Sequence, residues 1–141
     1  MLRVVIDTVI FVRSLINPYS RCGKIVFYHN KNYQLFVSEP IVTEIVEVLQ
    51  RPELTIKFKT LKALDFLKVL EILGQAVVVD VSAVGHVSRD PKDNKFLATA
   101  VTAEAGYLVT EDNDLLDLKD YQGIKIIKAD TFLQTLENSK R

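Results

Sequence analysis

A three-layer α/β/α sandwich around a mostly parallel sheet of about five strands is the fold class that this sequence predicts, and three observations carry it. Short apolar, β-branched runs recur at Leu2–Ile6, Tyr33–Val37, Ala76–Val79, Tyr107–Thr110 and Ile124–Ile127. Between them lie stretches whose apolar residues fall at three- and four-residue spacing, the mark of helices with one buried face. Alternation of the two requires parallel strand pairing through right-handed crossovers, which puts helices on both faces of the sheet.

Leu2–Ile6 reads as a buried parallel strand, apolar apart from Arg3, that stops at Asp7-Thr8. Val9–Leu15, interrupted by Arg13 and closed by Asn17-Pro18, makes a helical turn or two and then a loop. Ser20–Lys31 is helix with Ile25, Val26 and Phe27 inward. After the strand Tyr33–Val37, Ser38-Glu39-Pro40 starts a helix, because serine caps and proline is tolerated in the first turn. That helix buries Ile41, Ile45, Val48 and Leu49, holds Glu44 at the edge of the buried face and turns Glu47 into solvent. Arg51-Pro52 breaks it. Thr60–Leu73 forms the next helix, with Leu61, Leu64, Leu67 and Leu70 or Glu71 along its inner side and Gly74 at its end. The strand Ala76–Val79 ends in Asp80. Asp93-Asn94 caps a helix running through Phe96, Leu97, Ala100 and Val101 to Glu104, and Gly106 releases the chain into Tyr107–Thr110. A last strand, Ile124–Ile127, precedes Asp130-Thr131 and a short helix to Leu136.

With 141 residues and 16.0 kDa the chain fits one domain over residues 1–137, followed by a flexible tail at 138–141. A hydrophobic content of 48% with 26% charged residues is that of an ordinary globule and excludes a disordered chain. Lys plus Arg and Asp plus Glu number 18 each, so no global field draws the protein to a polyanion, and nucleic acid must be met by a local patch. Cys22 is the only cysteine, which excludes an internal disulfide, argues against a structural zinc site and fits a reducing compartment. The start of the chain has no targeting pattern, and no apolar run approaches the ~20 residues that span a bilayer. A cytoplasmic protein with no membrane association is expected.

The chemistry gathers in RDPKDNKFLATAVTAEAGYLVTEDNDLL, where Asp90, Asp93, Asp112 and Asp114 flank an apolar helix and strand, with Glu111 beside the second pair. Ligands of parallel sheets collect beyond the carboxyl ends of the strands. Asp7 and Asp112 both follow strands there, and Asp93 opens the helix that feeds one of them. Carboxylates brought together repel and take up protons unless a cation neutralises them, and oxygen-only ligands select Mg²⁺ or Mn²⁺. Asp7, Asp93, Asp112 and Asp114 are the metal candidates, and metal-assisted phosphodiester hydrolysis is the chemistry such a cluster supports. Each acid also has a plainer role: Asp7 as a loop cap, Asp93 as a helix cap, Glu44 as a solvated helix-edge residue. Asp80, Asp90, Asp117 and Asp120 are surface or turn acids. His29 and His86 have no metal-ligand or catalytic partner at useful spacing, and neither a nucleophile elbow nor a glycine-rich phosphate loop is present. Arg13, Arg21, Lys24, Arg89, Lys92 and Lys95 flank the acidic stretches; of these Arg13, Arg89, Lys92 and Lys95 are candidates to grip phosphates of a single-stranded RNA.

Together VVIDTVIFV, SEPIVTEIVEVLQRP and the long acidic stretch, in this order and spacing, resemble PIN-domain ribonucleases, the VapC-like toxins of prokaryotic toxin–antitoxin pairs. The resemblance spans nearly the whole chain. It implies a metal-dependent endoribonuclease using Mg²⁺ or Mn²⁺, held by a cognate antitoxin and assembled as a homodimer or higher homo-oligomer. By position it implies catalytic roles for Asp7, Glu44, Asp93 and Asp112, an accessory acid at Asp114, and hydroxyls beside the metal at Thr8 and Thr110. The family pattern begins Asp-Thr-Asn, whereas this chain has Val9 in third place. Glu111 stands where small residues are common.

Two other readings stay open on the sequence. A degenerate PIN fold that binds RNA or protein without cutting is motivated by Val9. A phosphoacceptor domain of the receiver or haloacid-phosphatase kind also places an aspartate after a first strand, but Val9 fills the position where the phosphatase pattern has its second Asp. Phe58, Leu61 and Phe66 are candidates to pack a twin subunit.

Overall fold

The computed structural model describes residues 1–52, 63–82 and 91–139, the side chains of 91–93 excepted. Its centre is β1 (Leu2–Ile6), flanked in parallel by β2 (Tyr33–Val37) and β4 (Tyr107–Val109) with Leu2 opposite Tyr33 and Ile6 opposite Val109. With β3 (Val77–Val78), β5 (Asp120–Tyr121) and β6 (Ile124–Ile127), the described residues build a six-stranded sheet in the order β3-β2-β1-β4-β6-β5. Among the described strands only the β5–β6 pair is antiparallel.

The mixed α/β sandwich is therefore as expected, with one strand more. Tyr121 and Ile124 are joined through Gln122 and Gly123, whose positive φ of 50° and 84° make the two-residue turn that matches the twist of a hairpin. A strand of two residues carries too little pattern to be read in advance.

Among the described residues the helices are α1 (Thr8–Ile16), α2 (Arg21–Gly23) continued by a π-helical stretch over Lys24–Tyr28, α3 (Glu39–Leu49), α4 (Ala63–Gly74), α5 (Pro91–Thr102), α6 (Asn113–Leu116) and α7 (Ala129–Ser139). The chain steps outward from β1 to β2 to β3, then returns to lay β4 on the other side of β1. Right-handed crossovers in the two directions send their helices to opposite faces and leave a switch point between β1 and β4. Val4, Val5, Ile6, Leu108 and Val109 are sealed from solvent at this centre, packed with Ile10, Phe11, Leu97 and Phe132. Arg3, out of place in a core strand, caps the end of α5 by donating from Nε and Nη2 to the Ala103 carbonyl while lying 4.4 Å from the Phe36 ring centroid.

Three expectations are corrected. The inner face of α4 is Val69, Ile72 and Leu73 with half-buried Phe66, while Leu64, Leu67 and Leu70 are exposed. The helix is apolar on both sides, so periodicity alone had two faces to choose from. Second, α5 begins at Pro91, which suits a first helical turn, so Asp93 lies inside that turn and not at the cap. Third, Ser38 holds the N-cap position of α3 without capping; its hydroxyl is bonded to Thr99 of α5 at 2.6 Å, both side chains fully buried. Helix α7 runs to Ser139, two residues into the segment expected as tail. Phe58 and Leu61 lie outside the described residues. Among those described, no helix is long and apolar enough to cross a membrane.

Candidate functional site

At the switch point the chain leaves β1 and β4 side by side, and the residues that follow them meet. Asp7 is the N-cap of α1, its Oδ1 accepting from the Val9 amide at 3.5 Å. Its Oδ2 accepts from the Thr110 hydroxyl at 2.6 Å, and the same Thr110 Oγ1 accepts from the Asp112 amide at 3.0 Å. One fully buried hydroxyl thus ties the aspartate after β1 to the aspartate after β4. Asp112 in turn caps α6, taking the Asp114 amide on Oδ1 at 2.8 Å. Its Oδ2 has no hydrogen-bond partner among the described residues. Asp114 is exposed on the first turn of α6.

Glu44 reaches the site from α3. Thr8, buried next to Asp7, donates its hydroxyl to Glu44 Oε2, and Lys95 of α5 sits 2.8 Å from Glu44 Oε1. The Lys95 ammonium, expected to grip phosphate, is thus paired with a carboxylate, and both side chains are about three-quarters buried (25% and 28% exposed). Thr99 Oγ1 donates to the Lys95 carbonyl at 2.6 Å while contacting Ser38, so a buried hydroxyl pair fastens the Lys95 turn to the start of α3. That fastening joins residues 61 apart in sequence, and no local signal announces it.

Asp7 is 8% exposed. Burial, the largest influence, pushes its carboxyl above the ordinary aspartate range; the bonds from Thr110 and Val9 pull it down, and the charges of Glu44 and Asp112 push it up again. An acid held this way, with two further acids raising the local negative potential and Lys95 opposing them among the described residues, fits a hard divalent cation by donor chemistry: every candidate ligand is an oxygen. Among the described residues, no three Asp, Glu, His or Cys side chains are yet drawn together as a metal-holding group. Of the remaining expected site residues, the backbone of Lys92 and Asp93 starts α5, and their side chains and all of Arg89 lie outside the described residues.

Arg13 points elsewhere, toward Glu111 at 3.8 Å, on the wall of a separate cavity of about 490 Å³. On the opposite side Glu44 and Lys95 help line a larger one of about 750 Å³, with Glu39, Glu47 and Asp80, between α3 and the end of β3.

An uncharacterized protein of Methanocaldococcus jannaschii, MJ1680, is 31% identical over 121 residues, covering 84% of this chain and 76% of its own. A chain from the crystal structure of VapBC2 of Rickettsia felis, solved bound to a DNA fragment from its promoter, superposes with a TM-score of 0.57 at 17% identity, covering 90% of this chain and 98% of that one. That likeness concerns the fold. The model of the PIN domain, whose family members are generally nucleases, matches residues 3–114, which include β1, α3, α5 and the β4–α6 junction where Asp7, Glu44, Asp93, Asp112 and Asp114 stand. The chain belongs to the PIN domain family.

Proposed function

We propose that the protein is an endoribonuclease that hydrolyses phosphodiester bonds of single-stranded RNA with the help of Mg²⁺ or Mn²⁺, and that it is the toxin of a toxin–antitoxin pair. The observation that carries this reading is the Thr110 hydroxyl shared between Asp7 and Asp112, which holds two acids at the carboxyl ends of neighbouring strands. Asp7, Asp112 and Asp93 would hold the ion, with Asp114 as accessory acid. When bound, the ion supplies an activated water and offsets charge on the phosphate.

The chain's own side chains do the positioning. Thr110 and the Val9 amide fix the two oxygens of Asp7, and the Asp114 amide fixes one of Asp112 and leaves its Oδ2 for a ligand. Glu44, oriented by Thr8 and Lys95, stands at the rim, where its carboxylate is placed to accept a proton from an attacking water. The antitoxin partner is supported by the likeness to a chain of VapBC2, a complex solved on promoter DNA. Residues 1–137 are read as one domain, and a homodimer or higher homo-oligomer is the expected assembly; of the candidates to pack a twin subunit, Phe66 is half-buried against the core and Phe58 and Leu61 lie outside the described residues.

The test is direct. With Mn²⁺ the parent protein should cut labelled single-stranded RNA and Asp112→Asn should lose at least ~100-fold in rate, the scale of removing one electrostatic group from a preorganised site. Equal cutting by both would refute the reading.

A second reading, a binding module without catalysis, is favoured by one feature. Val9 packs its half-buried side chain against the core where the family has an amide. Cleavage seen only after Val9→Asn would establish that version.

A further inference from the structure

We infer that the cavity beside Glu111 is a nucleotide subsite, which seats the nucleotide next to the scissile phosphate of a single-stranded RNA. The inference rests on the nuclease reading above and adds a place and a set of residues to it. The cavity of about 490 Å³ opens between the end of α1, the start of α2 and the β6–α7 junction. Its wall includes Glu111, one residue from Asp112, and Arg13, on the helix that Asp7 caps. A strand whose phosphate lies at Asp7 and Asp112 therefore runs into it with its neighbouring nucleotide.

The lining has the two parts a nucleotide needs. Ile16, buried Cys22 and buried Ala129 offer an apolar floor, while Arg13, Arg21 and Lys128 stand around it. Among the described residues, neither Arg21 nor Lys128 forms an ion pair, and Arg13 meets Glu111 at only 3.8 Å with 54% of its side chain exposed. Of the two acids in the lining, Asp130 already turns Oδ1 to the Thr131 amide at 2.7 Å. Three cations against Glu111 and Asp130 leave a local excess of positive charge in a molecule whose formal net charge is zero. Cations that hold no internal partner lose nothing when a phosphate arrives, and an arginine plane can also lie on a base. The volume is within the range of small-ligand sites.

The subsite is tested by RNA binding without catalysis. Anisotropy of a short fluorescein-labelled single-stranded RNA is measured in EDTA across a salt series for the parent, Arg21→Glu, Lys128→Glu and Lys68→Glu. Lys68 sits on α4, which leads into β3 at the other end of the sheet, and serves as the remote control. Arg21→Glu and Lys128→Glu should each weaken binding about five- to tenfold and flatten the salt slope by about 0.7 for every phosphate no longer neutralised, with Lys68→Glu near parent. If Arg21→Glu disturbs folding, which its melting curve reveals, exposed Lys128→Glu alone decides. Parent-like affinity and slope in Lys128→Glu, or an equal loss in Lys68→Glu, would overturn the subsite. Failure of the nuclease reading looks different: the parent would leave RNA uncut in Mn²⁺ while the charge reversals still weakened its binding.

Discussion

Asp7 is the residue whose energetics decide most. Its carboxyl is buried beside two other acids, so the folded protein holds it above the ordinary aspartate value near 3.8. A raised folded value means that the stability Asp7 contributes is complete below that ordinary value and is lost as pH rises through the folded one. Ionising Asp7 therefore works against the metal-free fold. Asp7→Asn keeps the shape and an acceptor for Thr110 and removes the charge, so the metal-free variant should melt higher by roughly 3 to 5 °C, about 1 kcal/mol for a chain of this size. The gap should close as pH falls through the raised folded value, where the folded parent takes up its proton as well. A variant that melts lower at pH 7 would show that Asp7 is stabilised by its bonds more than it is strained by burial. Lys95 carries a second prediction: Lys95→Ala leaves Glu44 with one donor fewer in a half-buried setting and should lower stability by about 1 kcal/mol, read as a shift in the urea midpoint. The placement of Asp7 and Asp112 beyond strand ends was legible in the sequence because each follows an apolar run, whereas Thr110 was singled out only by the resemblance to PIN domains. The pairing of Lys95 with Glu44 was not, since the two are 51 residues apart and only the packing of α3 on α5 brings them together.

Among the elements, legibility followed the strength of the local pattern. The strands of four and five residues came out within a residue of their observed ends, because a run of β-branched residues between turn signals has few alternatives. The inner face of α4 did not, because a helix with leucines on one side and Val69, Ile72 and Leu73 on the other presents two apolar stripes, and packing against neighbours such as α1 selects one. Ser38 misled in another way: the cap position was right, but a buried hydroxyl will take whichever strong partner the fold supplies, and Thr99 supplied one. Gly23 is an element-scale requirement that the sequence did not advertise. A Cβ there would lie 2.0 Å from the Pro18 carbonyl oxygen, which is backbone and part of the tight link between α1 and α2. Gly23→Ala must push that link away from the helix, and the expected loss is about 1 to 3 kcal/mol, the usual penalty of overpacking. Because the same link borders the cavity beside Glu111, RNA affinity in EDTA should fall along with the melting temperature. A variant with parent stability would mean that Pro18 can yield freely.

For the molecule as a whole, equal numbers of acidic and basic residues, 18 of each, leave function to the way charge is distributed. The acids gather at the switch point between β1 and β4, cations without an ion pair among the described residues in the cavity next to it, and both lie beyond the carboxyl ends of parallel strands. A fold that concentrates negative charge around a buried aspartate carries strain that a divalent cation relieves, so the metal-free and metal-bound proteins should respond oppositely to the loss of that aspartate. At a Mn²⁺ concentration about a hundred times the dissociation constant, binding to the folded state alone adds about 2.7 kcal/mol to the parent. For a chain of this length that is a rise of roughly 8 to 13 °C at about 1 kcal/mol for every 3 to 5 °C. Asp7→Asn starts higher without metal and should stay flat as Mn²⁺ is added. The two melting curves, plotted against Mn²⁺, therefore cross, with the variant more stable at zero metal and the parent more stable at saturation. Curves that run parallel would mean that Asp7 takes no part in holding the ion. A parent curve that stays flat would mean that the acids around Thr110 hold no ion at all, and the catalytic reading would go with it.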